Sequence, residues 1–273
     1  MKKVLLVNPW IYDFAAYDLW LKPWGLLKIS SILKENGFSV FLVDALDRHH
    51  PLLKERMKDL PDGTGKFLSE EIEKPVVLKD IPRKYKRYGM PPEIFKKALP
   101  EDIVDLVVVS SGMTYWYPGV FEAVRILKEK YVGVPLVLGG TYATLAYDHA
   151  LKKSGADHVI KNGELEKLSG LLGKKCDLSF RNILDSRIDY DCYDDPSYAV
   201  LRLSLGCPFD CAYCAQKKLG PRFMLKDKVE ALGELMALYD RGIRNFAFYD
   251  DALLFDREYL TGYLESVVET GIK

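Results

Sequence analysis

What most restricts the fold of this chain is an alternation repeated through residues 1–172. Short continuous apolar runs are closed by turn residues and followed by segments with apolar residues at helical spacing. Val4–Val7 is the first run, closed by Asn8-Pro9. Pro23 opens a segment in which Leu26, Leu27, Ile29, Ile32 and Leu33 recur with a helix period, and Gly37 caps it. The runs Val40–Val43, Ile103–Ser110, Pro135–Leu138 and His158–Ile160 continue the strands. Val120–Tyr131, Ala143–Lys152 and Leu165–Leu172 continue the helices. Strands that are apolar throughout are buried on both faces. Strand–helix–strand repetition therefore predicts a doubly wound α/β parallel sheet with helices on both sides. Ligands of such sheets bind beyond the carboxyl ends of the strands.

Two stretches interrupt this pattern. Residues 49–100 are polar and weakly periodic, and contain the run Arg83-Lys84-Tyr85-Lys86-Arg87. They read as a solvated insertion over one edge of the sheet, with a phosphate or polyanion contact as the alternative. Residues 173–197 lack periodicity and are punctuated by Asp185, Asp189, Asp191, Asp194 and Asp195, which reads as a linker. A new series follows: a strand at Tyr198–Leu205, a helix at Lys226–Tyr239, a strand at Asn245–Tyr249 and a helix at Asp256–Glu269. The expected division is a domain at 1–172, a linker at 173–197 and a second domain at 198–273.

Basic and acidic residues number 39 each, so the net charge is zero, which argues against a globally basic nucleic-acid binder. No apolar run approaches the roughly 18 residues that would span a membrane. The amino terminus has a brief apolar run and no cleavage site, so a cytoplasmic protein is expected. Five cysteines are too few and too clustered for a secreted disulfide framework. Cys207, Cys211 and Cys214 share one short segment, while Cys176 and Cys192 stand apart. Three thiolates at C-x3-C-x2-C spacing can hold three irons of a [4Fe–4S] cube and leave the fourth iron open to a small molecule. Zinc, which needs four ligands, is the alternative. Cys192 is then the candidate fourth, since no histidine lies nearby.

The segment Leu205-Gly206-Cys207-Pro208-Phe209-Asp210-Cys211-Ala212-Tyr213-Cys214 follows a strand directly and has an aromatic residue before its last cysteine. It resembles the radical S-adenosylmethionine superfamily. The resemblance implies that Cys207, Cys211 and Cys214 ligate the cluster and that S-adenosylmethionine chelates the open iron through its amino and carboxylate groups. One-electron reduction then yields a 5′-deoxyadenosyl radical. Tyr213 would lie near the adenine. Asp250, at the carboxyl end of a strand where barrels keep their sites, would face the cofactor region; turn chemistry is the other reading. A low-potential electron donor such as ferredoxin or flavodoxin is implied as a partner.

Pro23-Trp24-Gly25-Leu26-Leu27, Asp44, Ser110-Ser111-Gly112-Met113-Thr114, Gly139-Gly140-Thr141-Tyr142-Ala143-Thr144 and Gly163-Glu164-Leu165-Glu166 resemble the cobalamin (B12)-binding domain fused to many radical enzymes. That implies a Rossmann-like sheet in which Ser110, Met113, Thr114, Gly139, Gly140 and Thr141 receive the corrin's nucleotide tail, glycine letting backbone approach ligand. The signature D-x-H-x-x-G is absent after the first strand, where the loop reads Asn8-Pro9-Trp10-Ile11-Tyr12-Asp13. No histidine axial ligand is therefore expected, and a corrin-free domain of the same fold stays open. Tyr115, Trp116 and Tyr117 either wall a corrin pocket or cap the core. His149 and His158 read as ordinary hydrogen-bonded histidines, and Lys217, Lys218 and Arg222 as solvated surface, with neutralisation of an anionic ligand as the alternative.

Taken together, the resemblances imply a radical S-adenosylmethionine enzyme of the cobalamin class, acting in methyl transfer or a related reaction on an unidentified substrate. Its fold would be a B12-type Rossmann-like sheet followed by the first β/α units of a partial TIM-type barrel. Only two such units follow Tyr198, so the chain is expected to stop within the radical domain. The alternative to an enzyme is a catalytically incomplete fragment that binds cobalamin or a cluster.

Overall fold

A computed structural model describes residues 1–55 and 57–272. Strand β1 (Lys3–Asn8) sends Val4 and Leu6 to one face and Leu5 and Val7 to the other, all four buried. The chain passes through β2 (Ile11–Asp13), enters helix α1 (Trp24–Glu35) and returns as β3 (Ser39–Asp44), parallel to β1. The insertion contributes β4 (Ser69–Glu71), β5 (Lys86–Tyr88) and α2 (Pro92–Ala98). Then come β6 (Leu106–Val109), α3 (Tyr117–Lys130), β7 (Leu136–Leu138), α4 (Gly140–Leu145), α5 (Tyr147–Lys153), β8 (His158–Val159) and α6 (Lys167–Leu172).

The strands pair in the order β3-β1-β6-β7-β8, all parallel. Counted along the chain this is the 2-1-3-4-5 order of doubly wound sheets. Helix α1 and the second half of the chain cover the face of Val4 and Leu6; α3, α4 and α5 cover that of Leu5 and Val7. The expected strand at Ile103 begins only at Leu106, because Ile103 lies in solvent. The expected helix Ala143–Lys152 is two helices, broken at Ala146, whose φ of −119° and ψ of 44° are not helical.

The insertion is more structured than its composition suggests. Strand β5 pairs antiparallel with both β2 and β4, forming a small separate sheet. The basic run lies along it: Tyr85 and Tyr88 are buried, Lys84 pairs with Glu71, and Arg87 pairs with Glu70 and Glu122. Arg87 thus links β5 to β4 and to the helix that carries Glu122. Nearby, Arg48 is buried and donates to Asp18, Asp59 and the Gly63 carbonyl.

The second half contains α7 (Phe180–Asp185), β9 (Ala199–Leu201), β10 (Ser204–Leu205), α8 (Gln216–Leu219), β11 (Met224–Leu225), α9 (Lys228–Asp240), β12 (Phe246–Phe248) and α10 (Arg257–Glu269). Strands β9 and β12 are parallel with α9 as their crossover, and β10 pairs antiparallel with β11. The single strand expected at Tyr198–Leu205 is split. The Asp250 carboxylate accepts the N–H groups of Leu203 and Ser204 and the Ser204 hydroxyl, which takes those donors out of the ladder. The stretch 173–197, expected as a linker, is packed rather than free. Cys176, Leu178, Ile183, Leu184, Ile188, Tyr190 and Tyr193 are buried in the same core as α1 and β9.

Helix α1 is buried on every side from Leu26 to Leu33. Its apolar residues meet the sheet, and its polar residues meet the second half. Lys28 Nζ donates to Glu234 Oε1 (2.5 Å) and to the Ser186 carbonyl, and Lys226 Nζ donates to Glu234 Oε2 (2.8 Å). Ser30 donates to Asp189. One carboxylate thus holds two buried ammonium groups. Glu234→Leu leaves both unpaired and should cost about 3–5 kcal/mol in chemical denaturation; a loss of about 1 kcal/mol or less, typical of exposed pairs, refutes this account. Burial pushes the Lys28 ammonium down from 10.5 to about 8, against the attraction of Glu234. Between those values the unfolded chain holds a proton that the folded chain has shed, so this group's contribution to stability rises with pH. The wild type should therefore gain stability relative to Lys28→Met from pH 8 to 10.5. A pH-independent difference between the two unfolding curves would contradict it.

Candidate functional site

A cavity of about 450 Å³ lies beyond the carboxyl ends of β6, β7 and β8. Ser110, Ser111, Gly112, Gly139, Gly140 and Thr141 form one side. Leu26, Ile29, Val108, Val137 and Ile160 give it an apolar lining. The second half supplies the opposite wall with Arg202, Leu205, Gln216, Leu219, Tyr249 and Asp251. Gly140 has φ +91°, and a Cβ there would collide with the Ser111 carbonyl, so the strand-to-helix turn itself requires glycine. The Ser111 hydroxyl donates to the Gly139 carbonyl (2.5 Å) and accepts from Ala143 N–H (3.2 Å), and the Ser111 carbonyl accepts from Thr141 N–H (2.8 Å). Gly139 is different. Its backbone is extended, and a Cβ would meet only the Ile160 carbonyl at 3.8 Å, so the space beside it belongs to the cavity.

Ser110, Gly139, Gly140 and Thr141, expected at a ligand, thus share one cavity, whereas Met113 and Thr114 lie outside its lining. Met113 is half-exposed and leads into a short helical turn. Trp116 Nε1 donates to Asp13 (2.9 Å), which draws that segment over β2. Tyr117 stacks on Tyr142 and touches His149, whose Nδ1 bonds the Tyr142 hydroxyl at 2.7 Å. Trp116 and Tyr117 therefore cap the core and do not wall the cavity. Asp44 is buried and accepts from Asn8, the Leu46 N–H and the Tyr193 hydroxyl; burial pushes its carboxyl up.

The cysteine loop runs between β10 and β11. Cys207 is half-buried, Cys211 and Cys214 are exposed, and all three are free thiols. Cys214 N–H donates to the Cys211 carbonyl (3.0 Å), and Cys214 Sγ accepts from Gln216 N–H (3.4 Å). Among the described residues no three His, Cys, Asp or Glu side chains are gathered at metal-binding geometry. Three accessible thiols on one loop are still a donor set of the right chemistry for an iron–sulfur cluster. Tyr213 is 93% exposed beside them. Cys176 is buried, which pushes its thiol up. Burial pushes the Cys192 thiol up to about 12; it donates to the Asp189 carbonyl (3.3 Å) in a groove lined by Leu42 and Tyr193. Both outer cysteines keep their protons and serve packing.

Asp250 and Asp251 have separate tasks. Asp250 is committed to the backbone bend between β9 and β10, and burial raises its carboxyl. Asp251 lines the cavity and accepts from Arg202 Nη1 (3.2 Å) and Gln216 Nε2 (2.8 Å). The sequence carried one unused signal here: Arg202 is a charge inside an apolar run. Gln216, Tyr249 and Asn162 gave none. Asn162 Nδ2 donates to the Leu219 carbonyl (3.1 Å), tying the sheet to the helix after the cysteine loop. Lys217 pairs with Asp210 across the exposed loop, and Lys218 and Arg222 lie outside the cavity.

No family model matches this chain, and no curated protein matches it. Solved structures of a radical S-adenosylmethionine methyltransferase, TsrM from Kitasatospora setae, share its fold. One, with tryptophan substrate and the SAM analogue aza-SAM bound, aligns with a TM-score of 0.64 at 14% identity over 99% of this chain and 51% of the other. Another, with cobalamin and a [4Fe–4S] cluster bound, aligns with a TM-score of 0.63 at 13% identity over 99% of this chain and 53% of the other. The chain spans about half the length of these proteins, and likeness at this level of identity is likeness of fold.

Proposed function

We propose that the chain is a radical S-adenosylmethionine enzyme of the cobalamin-binding class, acting in methyl transfer or a related reaction. The observation that carries the reading is a single cavity. It is bounded on one side by the Ser110–Gly112 and Gly139–Thr141 turns and on the other by the helix that directly follows three free thiols. On this reading the five-stranded sheet is a Rossmann-like B12-binding sheet, and β9–α9–β12–α10 are the first units of a radical-type barrel. When bound, the cluster supplies an electron to S-adenosylmethionine, and cobalamin supplies a carrier for the methyl group. Cys207, Cys211 and Cys214 hold the cluster. Ser110, Gly139, Gly140 and Thr141 border the corrinoid tail, and the apolar lining excludes water from it. A low-potential electron donor reaches the site through the exposed cysteine loop, in the reducing cytoplasm that suits free thiols. A corrinoid-binding module without radical chemistry is the second reading, favoured by a cavity that is formed while Cys211 and Cys214 remain in solvent.

Two measurements test the proposal. Anaerobic reconstitution should yield about four irons per chain, the stoichiometry of a cube. Cys211→Ala should lose them, and Cys176→Ala and Cys192→Ala should retain them. Zinc in place of iron, with the outer cysteines essential, ends the radical reading. Gly139→Val should abolish the absorbance change on adding hydroxocobalamin while the thermal unfolding curve stays cooperative, because the new side chain enters the cavity without backbone strain. Gly140→Val should unfold the domain instead. Corrinoid affinity unchanged by Gly139→Val removes the cavity from the assignment.

A further inference from the structure

Helix α8 has only four residues, too few to be stable through its own backbone bonds, yet Gln216 and Leu219 at its two ends both line the cavity. Side chains from two distant parts of the chain hold those ends. At the carboxyl end, Asn162 Nδ2 donates to the Leu219 carbonyl (3.1 Å). At the amino end, Gln216 Nε2 donates to Asp251 (2.8 Å), which also accepts from Arg202 Nη1 (3.2 Å). Asn162 is itself fixed. Its N–H donates to Thr144 Oγ1 (3.0 Å), and that hydroxyl donates to the Gly140 carbonyl (2.8 Å). Helix α4, which begins at Gly140, packs on α8. From α8 the Gln216 N–H then meets Cys214 Sγ at 3.4 Å. Hydrogen bonds thus lead from the glycine turn of the sheet, through α8, to a cysteine sulfur.

The thiol at the end of this path needs such support. Cys211 and Cys214 are exposed, so burial does not fix them. Lys217 pairs with Asp210 across the loop, but both lie in solvent, where an ion pair contributes little. A metal that meets a preformed loop spends less on ordering it than one that must gather loose thiols. We propose that Asn162 and Asp251 are positioning residues for the cysteine loop. By fixing the two ends of α8 they set Cys214 before a metal arrives, so that a residue of the sheet tunes a metal site in the second half. This rests on the reading that Cys207, Cys211 and Cys214 hold a metal.

The test uses the full chain, reduced and anaerobic, with Co²⁺ alone as the probe, because thiolate-bound cobalt has a charge-transfer band. Cys211→Ala should lose that band, which ties it to the loop. Asn162→Ala and Asp251→Ala should each weaken Co²⁺ binding about tenfold, as the loss of groups that orient metal ligands does. Asp251→Asn keeps an oxygen for Gln216 and should restore wild-type affinity. Asn162→Asp keeps the shape without the donor and should bind as weakly as Asn162→Ala. Tyr131→Phe, which removes a bond to the Pro100 carbonyl (2.7 Å) outside the cavity lining, should bind like the wild type. If one alanine variant fails to fold, the pair of variants at the other position decides. Wild-type affinity in both alanine variants overturns the proposal and leaves the thiols standing as metal ligands. Equal weakening in Tyr131→Phe also overturns it, since the effect is then one of overall stability. A wild type without the thiolate band defeats both the metal reading of the three cysteines and this proposal.

Discussion

A helix buried on every side must satisfy its polar residues inside the protein, and α1 does so through Glu234. Lys28 projects away from the sheet, yet it reaches no solvent, because α9 closes over it with a carboxylate shared with Lys226. Such a triad adds little over an apolar core of the same shape, but it tolerates no missing member. Its value lies in orientation. The first turn of α1 carries Trp24, Gly25 and Leu26 into the cavity, and the helix is held between the sheet and the second half. Where the triad fixes α1, it also fixes one wall of the site.

The opposite wall depends on a bend. A continuous strand from Tyr198 to Leu205 would carry its side chains to alternate faces without interruption. Asp250 ends the ladder after Leu201 by accepting the N–H donors of Leu203 and Ser204, and the chain turns at Arg202 before pairing again as β10. That turn brings Arg202 to the cavity and starts the cysteine loop at Gly206, whose φ of +84° sets it against the Pro221 carbonyl. A single carboxylate therefore shapes both the cation in the wall and the entry to the thiols.

The parallel strands were legible because residues buried on both faces leave continuous apolar runs, and Val4–Val7 sends alternate side chains into two different cores. The turn at Gly140 was legible for a related reason: few residue types fit where backbone meets backbone. Residues 173–197 were not. Their buried side chains sit at irregular intervals, since the segment crosses the edge of the core as turns and one short helix, and its buried Asp189 binds the Asp191 N–H, Ser30 and Lys34. The choice between Asp250 and Asp251 was also beyond the sequence. Adjacent residues at a strand end point to opposite sides, and only packing shows which side holds the cavity.

Three tyrosines join the two halves by their tips. Tyr193 donates to Asp44, Tyr198 to Asp18 and Tyr249 to the Trp20 carbonyl. Each buries a ring in the shared core and spends its hydroxyl on a group that no water reaches. The boundary near residue 172 is thus a boundary of topology and not of material. An amino-terminal half cut there would carry an uncovered face of α1 and two buried carboxylates stripped of their phenol donors. In this molecule the sheet and the cysteine-bearing units share one core, so each half closes a face that the other leaves open.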